Sequence, residues 1–381
     1  MEREELAAWL RLVLTPGIGN ETARRLLAAY GLPQDVFTQS RAALEQFVTP
    51  AQAKALQLPS PDAIAQLEST ESWLAQADPA QGQRAVITLG DVLYPESLLA
   101  MADPPLLLFA LGRIDLWETV SQHSIAIVGS RNPTAQGETH AQQFGQACAQ
   151  AGWTVVSGLA LGVDSAAHLG ALEGAHADQL ATVAVVGTGL DRVYPKRNLA
   201  LAHRIARHGV LLSEYLLGTP PLPANFPKRN RLIAGLTQGT LVVEAALQSG
   251  SLITARLAAE QGKEVFAIPG SIQSPQARGC HALIKQGAKL VENIQDVLEE
   301  LQPQIASKTI AASADGTCVA EENDAEDSLL NALGYDPVSL DALVARTGMD
   351  TASLQVQLLE LELDNRVARL PGGLFQRMAA A

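Results

Sequence analysis

The sequence lacks long hydrophobic runs and is poor in cysteine. No stretch reaches the roughly 18 uninterrupted apolar residues typical of a transmembrane helix, so we expect no membrane span. The three cysteines are far apart and odd in number, which argues against a disulfide framework or a cysteine-based metal site. The first residues are acidic and amphipathic, whereas a signal peptide begins with a basic region. We therefore expect a cytoplasmic protein.

Aromatic residues are also scarce, at 4 % of the 381 residues, whereas 47 % are hydrophobic. That hydrophobic content excludes an intrinsically disordered chain. Abundant alanine, leucine and glycine with few aromatics favour α/β layers over a β-sandwich. Because the chain is too long for one compact core, we expect two or three domains.

The chain also has no excess of positive charge, because its net charge is −13. This argues against indiscriminate binding to nucleic acid. The charge is unevenly spread, however. Residues 1–120 and 301–381 are strongly acidic, whereas residues 121–300 carry 14 basic and 13 acidic side chains and all seven histidines. Any anion-binding chemistry is therefore expected in the middle of the chain.

From about residue 84 the sequence alternates between apolar runs, glycine turns and amphipathic segments. Continuous apolar runs are typical of strands buried on both faces. The alternation predicts a doubly wound, mostly parallel sheet, with the first two strands added at an edge. The predicted strands cover residues 85–89, 106–111, 124–129, 153–158, 181–187, 209–214, 239–245 and 264–270. The predicted helices cover residues 135–151, 164–174, 198–208 and 251–261.

Separate modules flank this central part. Helical spacing predicts short helices over residues 1–80, and the Pro-Gly-Ile-Gly turn at 16–19 resembles a helix-hairpin-helix, which can offer backbone N–H groups to a DNA phosphate. Its acidic flanks favour a purely structural turn instead. Residues 301–326 are small, polar and acidic, as in a flexible linker. Three helices and a hairpin make residues 327–381 similar to a winged helix, and their acidity favours protein contact over DNA contact.

Four strand ends of the central part carry glycine-rich turns. Ligands of open α/β sheets bind at the carboxyl ends of the strands. Glycine permits close approach to the backbone, and helix N-termini add N–H donors and positive potential. Several such turns favour a phosphate-type ligand, although tight turns need glycine for geometry alone. The turns are Gly129-Ser130-Arg131, 157–164 beginning Ser157-Gly158, 187–191, and Gln248-Ser249-Gly250-Ser251.

A basic segment over residues 223–234 is predicted as a loop beside these turns. Arginine can clamp phosphate through its planar fork, and an aromatic ring can stack on a base. The alternative is a solvated basic turn whose aromatic residue fills the core. The segment supplies Asn225, Phe226, Lys228, Arg229, Asn230 and Arg231, and a neighbouring loop adds Lys196.

No motif points strongly to catalysis, metal or cofactor. The sequence has no Walker A pattern, no G-x-G-x-x-G and no Gly-x-Ser-x-Gly elbow. Asp164 and His168 are four residues apart on one helix face, which suits a metal or an acid–base pair. A helix cap that stabilises the loop is the more common role for such a pair. Cys280 and His281 are likewise interpreted as structural, and we predict no enzymatic activity.

Taken together, the central motifs resemble the DNA-processing protein A (DprA/Smf) family. They occur in the family's order over roughly residues 85–295, and a match of this length is highly specific. The terminal modules match only in type, a helical domain of the sterile-alpha-motif kind and a winged helix. The matching stretches are YPESL at 94–98, DPPLLLFALG at 103–112, IAIVGSR at 125–131, SGLALGVDSAAHLGAL at 157–172, VVGTGLDRVYPKRN at 185–198, residues 211–270 around NFPKRNR and QSGS, and GCHALIKQGAKLVE at 279–292.

The resemblance implies an extended Rossmann domain over residues 84–300 that binds single-stranded DNA and forms a homodimer. It also implies loading of RecA recombinase onto DNA during natural transformation, with single-strand-binding protein as a further candidate partner. The predicted DNA-binding site combines residues that match the family's motifs with residues of the glycine-rich turns described above. It consists of Gly129, Ser130, Arg131, Gly158, Lys196, Asn225, Phe226, Lys228, Arg229, Asn230, Arg231, Ser249, Gly250 and Ser251.

Two other hypotheses remain open. The first is a nucleotide-processing enzyme resembling the lysine-decarboxylase-like phosphoribohydrolases, whose loop reads Pro-Gly-Gly-x-Gly-Thr-x-x-Glu. Here the Pro-Gly-Gly is missing and Glu244 stands one residue too far from Gly239-Thr240. The second is a scaffold in which residues 327–381 recruit a partner and the central domain is inert.

Overall fold

A nine-stranded sheet forms the centre of the molecule in the computed structural model, which describes residues 2–58, 61–76, 82–121, 123–301, 329–330, 332–334, 337–364, 366–370 and 372–378. The strand order is β1-β2-β6-β5-β4-β3-β7-β8-β9. The strands are β1 Gln83–Thr88, β2 Leu107–Gly112, β3 Ser124–Val128, β4 Thr154–Ser157, β5 Thr182–Val185, β6 Val210–Ser213, β7 Gly239–Val242, β8 Glu264–Ala267 and β9 Lys289–Leu290.

The predicted doubly wound fold is confirmed. Strands β3 to β9 pair in parallel, whereas β1 and β2 add an antiparallel edge beside β6. All residues of β2 to β7 are buried, which explains their uninterrupted apolar runs. The strand order reverses between β3 and β7, so this position is the topological switch point. Strand β9 was not predicted because it has only two residues.

Helices cover both faces of the sheet and build the amino-terminal part. The predicted helices 135–151, 164–174, 198–208 and 251–261 are confirmed within one residue at each end. Short 3₁₀ helices span Ile114–Ser121 and Lys196–Asn198. The α-helices of residues 2–301 are α1 Arg3–Leu14, α2 Asn20–Tyr30, α3 Pro33–Thr38, α4 Arg41–Leu44, α5 Pro50–Gln57, α6 Pro61–Leu74, α7 Glu96–Leu99, α8 Ala135–Gln150, α9 Val163–Gly174, α10 Leu199–His208, α11 Asn225–Leu236, α12 Ser251–Glu260, α13 Arg278–Lys285 and α14 Ile294–Leu301.

The amino-terminal helices share a hydrophobic core with one face of the sheet. This core includes Trp9 of α1 and Leu26 of α2 together with Phe109 of β2. Trp73 of α6 meets the Phe109 ring edge-on at a centroid distance of 5.9 Å. In the turn between α1 and α2, the carbonyl of Gly17 accepts a hydrogen bond from Gln52 Nε2 at 2.7 Å. The turn therefore packs within its own helical domain, as the structural interpretation predicts.

The carboxy-terminal part forms a second, small sheet of strand order β10-β12-β11. Its elements are β10 Val338–Ser339, α15 Leu340–Thr347, α16 Thr351–Leu363, β11 Val367–Leu370 and β12 Leu374–Arg377. The predicted hairpin around Pro-Gly-Gly corresponds to β11 and β12. The predicted linker lies outside the described residues except for Leu301. Within the described ranges, no helix is long and apolar enough to cross a membrane.

Candidate nucleic-acid interface

A crevice of about 430 Å³ opens at the switch point, beyond the carboxyl ends of β3 and β7. Parallel strands end at one edge of the sheet, so turns far apart in sequence meet there. Of the predicted site residues, the crevice is lined by Gly129, Ser130, Arg131, Phe226, Arg229, Asn230, Ser249, Gly250 and Ser251.

The turn after β3 presents Arg131 at the crevice. A Cβ at Gly129 would lie 2.8 Å from Val163 Cγ2 and 2.9 Å from the Glu244 carbonyl, so the position requires glycine. Ser130 is buried, and its Oγ accepts a hydrogen bond from the Asn132 amide at 3.1 Å. Arg131 itself is exposed and has no salt-bridge partner among the described residues. The turn thus holds a guanidinium in solvent at the mouth of the crevice.

The turn after β7 faces it with hydroxyl and backbone groups. Ser249 Oγ and Ser251 Oγ lie 2.7 Å apart, and Ser251 begins α12. The amino end of a helix carries unsatisfied N–H groups and a partial positive charge. Asn230 Nδ2 donates to the Gly250 carbonyl at 3.2 Å, which ties this turn to α11. The wall is therefore suited to an anion without carrying a formal charge.

The basic segment is a helix, so the prediction of a loop is wrong. Its first turn tolerates Pro227 because the N–H groups there have no intrahelical acceptor. Helical geometry also separates the three cations. Phe226, Arg229 and Asn230 share the face that lines the crevice, whereas Lys228 and Arg231 point elsewhere.

Arg229 forms the buried floor of the crevice and does not reach into solvent. Its side chain is 4 % exposed, and Nη1 donates to the carbonyl of Gly158 at 2.6 Å and to that of Val185. A Cβ at Gly158 would lie 2.4 Å from this Nη1, so glycine is required there to make room for the arginine; Gly158 also lines a smaller cavity beside the crevice. Burial lowers the Arg229 pKa to about 10, while the nearby Asp164 carboxylate opposes that shift. Arg229 therefore stays charged at neutral pH.

Arg231 is occupied by an ion pair on the other side of α11. Its Nη2 donates to Glu214 Oε2 and lies 3.7 Å from Asp103 Oδ2. Asp103 also accepts from Arg24 of α2 at 2.7 Å. Burial raises the pKa of Glu214, and the positive charge of Arg231 opposes the shift. The Arg231 guanidinium is therefore engaged by carboxylates and links α11 to the amino-terminal domain, and its contact with a phosphate stays a prediction.

Three further predicted residues do not line the crevice. Lys196 and Lys228 are exposed cations at its periphery, one in the 3₁₀ turn after Pro195 and the other on α11. Asn225 is half-buried, and its Nδ2 donates to the Gly187 carbonyl at 3.2 Å. Its role in this structure is to anchor the start of α11.

Asp164 stabilises the loop before α9 as expected, but neither Asp164 nor His168 caps the helix. Asp164 Oδ2 accepts from the amides of Gly158 and Ala160 at 3.1 and 3.2 Å, which fixes the loop after β4. His168 is fully buried, and its Nδ1 lies 2.7 Å from Thr182 Oγ1. The described residues contain no group of three or more His, Cys, Asp or Glu side chains arranged for a metal.

Glu244 and Cys280 are also engaged in packing. The Glu244 carboxylate accepts from the Thr134 amide at 2.9 Å and from Thr134 Oγ1 at 2.6 Å, at the start of α8. It does not line the crevice. Cys280 is buried, with its Sγ 3.6 Å from the carbonyls of Val242 and Val243. These contacts account for both side chains without a reacting ligand.

Sequence reasoning did not assign Gln248, Gln276 or Tyr194 to the DNA-binding residues, although it named Gln248 as part of a glycine-rich turn. Gln248 and Gln276 line the crevice, and Tyr194 lines a smaller cavity beside it. Gln248 immediately precedes the Ser249-Gly250-Ser251 turn, and Tyr194 stands two residues before Lys196, so both lie in segments that were singled out. Gln276 precedes α13 and carries no signal in the sequence.

Fold and site together define a doubly wound α/β protein with an anion-suited crevice at its switch point, joined to a carboxy-terminal module with a small sheet. The family model for DNA recombination-mediator protein A matches residues 85–302, and the model for the DprA winged helix domain matches residues 314–373. The chain therefore belongs to the DNA-processing protein A (DprA/Smf) family.

Individual relatives agree with that assignment. Protein Smf of Escherichia coli K12 is 40 % identical over 313 residues, which cover 81 % of this chain and 80 % of the relative. The X-ray structure of DprA from Streptococcus pneumoniae is 36 % identical, with a TM-score of 0.61, and the match covers 79 % of this chain and 98 % of that one. A Helicobacter pylori DprA structure, described for its single-stranded DNA binding mode, is 29 % identical, with a TM-score of 0.52 and coverage of 59 % and 98 %.

Proposed function

We propose that this protein binds single-stranded DNA in the crevice at the β3/β7 switch point. The observation that carries the proposal is the exposed Arg131, which has no ion-pair partner in the part of the chain that the structure describes and faces the hydroxyls and helix N-terminus of residues 249–251. Arg131 clamps a phosphate, and the buried charge of Arg229 adds positive potential from below. Lys196 and Lys228 attract the strand from the periphery. The H. pylori relative, which is described as binding single strands, supports the same ligand here.

Preference for single strands follows from the dimensions of the site. A crevice of about 430 Å³ is of the size that holds one small-molecule ligand, so part of a single strand can enter it and a duplex cannot. The test is fluorescence anisotropy with matched single- and double-stranded oligonucleotides of several sequences. We expect tight, salt-dependent and sequence-tolerant binding of the single strand only. Equal affinity for the duplex would overturn the proposal.

We further propose that the protein acts in the cytoplasm as a homodimer through its central domain and loads RecA recombinase onto the bound strand during transformation or recombination. Large apolar side chains exposed on the central domain support self-association, among them Val92, Leu99, Leu247 and Ile272. Two crevices in one dimer would raise avidity for a long strand. Light scattering tests the dimer, and RecA filament growth on strands coated with single-strand-binding protein tests loading.

Catalysis is not part of the proposal. Glu244, the candidate for a phosphoribohydrolase acid, is half-buried, and its carboxylate accepts hydrogen bonds from Thr134, the residue before α8. Incubation with nucleoside monophosphates should release no free base. Release of base that disappears in Glu244→Gln would establish an enzyme instead.

A further inference from the structure

We propose that a cavity between the amino-terminal helices and the sheet binds a small amphipathic anion, a molecule with an aromatic or acyl body and one acidic group. This interdomain cavity measures about 490 Å³, and among the described residues none lines both it and the DNA crevice. Its walls come from α6, from β1, β2 and β6, from α10, and from the loops that follow β4, β5 and β6. Cavities of this size at the boundary between two domains are common sites for small ligands.

The inner lining of the interdomain cavity is apolar. Leu111 of β2 and Leu211 of β6 are partners in the sheet, and both line the cavity together with Leu217. Trp73 lines it from α6 and belongs to the same hydrophobic core as these leucines. Transfer of an apolar body from water into such a lining is favourable. The interdomain cavity therefore suits a ring system or an acyl chain.

The part of the wall formed by Leu159 is fixed before any ligand arrives. The Leu159 backbone has a φ of +59°, in the left-handed region that residues with a Cβ adopt rarely. Asn198 Nδ2 donates to the Leu159 carbonyl at 2.9 Å and holds this conformation. A wall that is already ordered lowers the entropic cost of binding.

The polar part of the lining favours a negative charge. Arg84 of β1 is held at the cavity because its Nη1 donates to the Trp73 carbonyl at 2.7 Å and to Gln76 Oε1 at 2.6 Å. Arg192 adds a second guanidinium and pairs with Asp191 at 2.7 Å. Asp191 is the one carboxylate among the described residues of this lining. Two guanidinium groups against one carboxylate leave an excess of positive charge, which suits the acidic group of a ligand.

Two dyes of matched structure test the preference for an anion. Anilinonaphthalene sulfonate is an amphipathic anion, and phenylnaphthylamine has the same ring system without the sulfonate. Both dyes fluoresce strongly when they leave water for an apolar site, so titration of the folded protein measures their affinities. Arg192→Gln should weaken binding of the anionic dye about two- to fivefold, the order of effect of a partly exposed ion pair, and should leave binding of the uncharged dye unchanged.

A blocking variant tests the position of the site. Ser72 is exposed on α6 and lines the interdomain cavity, so the bulky ring introduced by Ser72→Trp should occupy the space of a ligand. We expect its affinity for both dyes to fall by at least about tenfold. Ala65→Trp is the matched control, since Ala65 is also exposed on α6 but does not line the cavity. This control should bind both dyes like the unmodified protein.

The proposal is wrong if the unmodified protein binds neither dye saturably, or if Ser72→Trp binds them as well as Ala65→Trp does. Displacement of the anionic dye by oligo-dT would place the dye in the DNA crevice and would also overturn the proposal. Equal effects of Arg192→Gln on the two dyes would contradict the preference for an anion. Thermal unfolding of each variant without dye identifies any loss of affinity caused by misfolding, and Arg192→Gln still tests the site if Ser72→Trp does not fold.

Discussion

The mouth and the floor of the crevice use the same residue type in opposite ways. Arg131 at the mouth is exposed and has no ion-pair partner among the described residues, whereas Arg229 on the floor is 4 % exposed and bonded to two backbone carbonyls. A solvated guanidinium keeps its donors for a ligand, whereas Nη1 of the buried Arg229 already donates to two carbonyls of the fold. The comparison teaches that the count of cations in a segment does not give the number available to DNA.

Removal of the floor cation should have the largest effect. Arg229→Ala removes the donor to the buried Gly158 and Val185 carbonyls and the positive charge that favours the Asp164 carboxylate, and each buried polar group left without a partner typically costs about 1–3 kcal/mol of unfolding free energy. Urea denaturation measures this loss. The double variant Arg229→Ala/Asp164→Ala should lose less than the sum of the single variants. If Arg229→Ala were fully stable and lost only its affinity for DNA, the proposed difference between a structural arginine on the floor and a DNA-binding arginine at the mouth would be wrong.

The buried His168, whose pKa is influenced by the charge of Arg229, should also make the stability of the protein depend on pH. Burial, with a smaller contribution from the Arg229 charge, lowers the His168 pKa to about 3 from its usual 6.5. The unfolded chain therefore binds the proton more readily, so stability is complete above pH 6.5 and falls as the pH drops toward 3. The slope contributed by His168 should reach about 1.4 kcal/mol per pH unit.

Denaturation midpoints measured across this range would show the effect, and His168→Leu is the comparison variant. Thr182 Oγ1 still donates to the Val155 carbonyl in that variant, so the local packing keeps a satisfied hydroxyl. An unchanged pH profile in His168→Leu would show that the histidine does not stay neutral in the folded protein.

Removal of the mouth cation should affect binding alone. Arg131→Ala should retain the unfolding transition of the unmodified protein, because the side chain is exposed and lacks an ion-pair partner among the residues described. A charge-assisted contact is worth about 1.5–3 kcal/mol, so affinity for oligo-dT should fall by roughly 10- to 100-fold. The loss should be similar on all sequences, and the salt slope should decrease by about one unit. A variant that binds normally would move the phosphate contact elsewhere.

Peripheral cations should have the smallest effect. Lys228 is exposed on α11 but does not line the crevice, so it contributes through long-range attraction. Lys228→Ala should weaken binding by about two- to threefold at low salt, and the difference should vanish at high salt. Anisotropy titrations at two salt concentrations measure it. A loss as large as that of Arg131→Ala would place Lys228 in direct contact with the strand.

The sequence was a better guide to the sheet than to the basic segment. Continuous apolar runs marked β3 to β8 because a strand buried on both faces must be apolar throughout. The basic segment was predicted as a loop, yet the first turn of α11 accommodates Pro227, and the helix places Arg229 and Arg231 on different faces. The electrostatic attraction between Arg229 and Asp164 and the ion pair of Arg231 with Glu214 join side chains 65 and 17 positions apart in sequence, so local spacing could not reveal them.

The positions of the glycine turns were predicted correctly, but the reason why a position must be glycine was not always the predicted one. The turns at 129–131 and 249–251 meet across the crevice as expected. Gly158 was assigned to the ligand, whereas its missing Cβ accommodates the Arg229 guanidinium. A glycine in the sequence indicates that a side chain would not fit at that position, but it does not indicate which neighbouring group occupies the space.

The most direct test of the account is to map where DNA touches the protein. A single-stranded oligonucleotide containing 5-iodouracil, which couples to nearby aromatic side chains on irradiation, would be cross-linked to the full chain and the attached peptides identified by mass spectrometry. The account predicts adducts at Tyr194 or Phe226, beside the crevice at the switch point. Adducts confined to the amino-terminal helices or to residues 337–378 would contradict it.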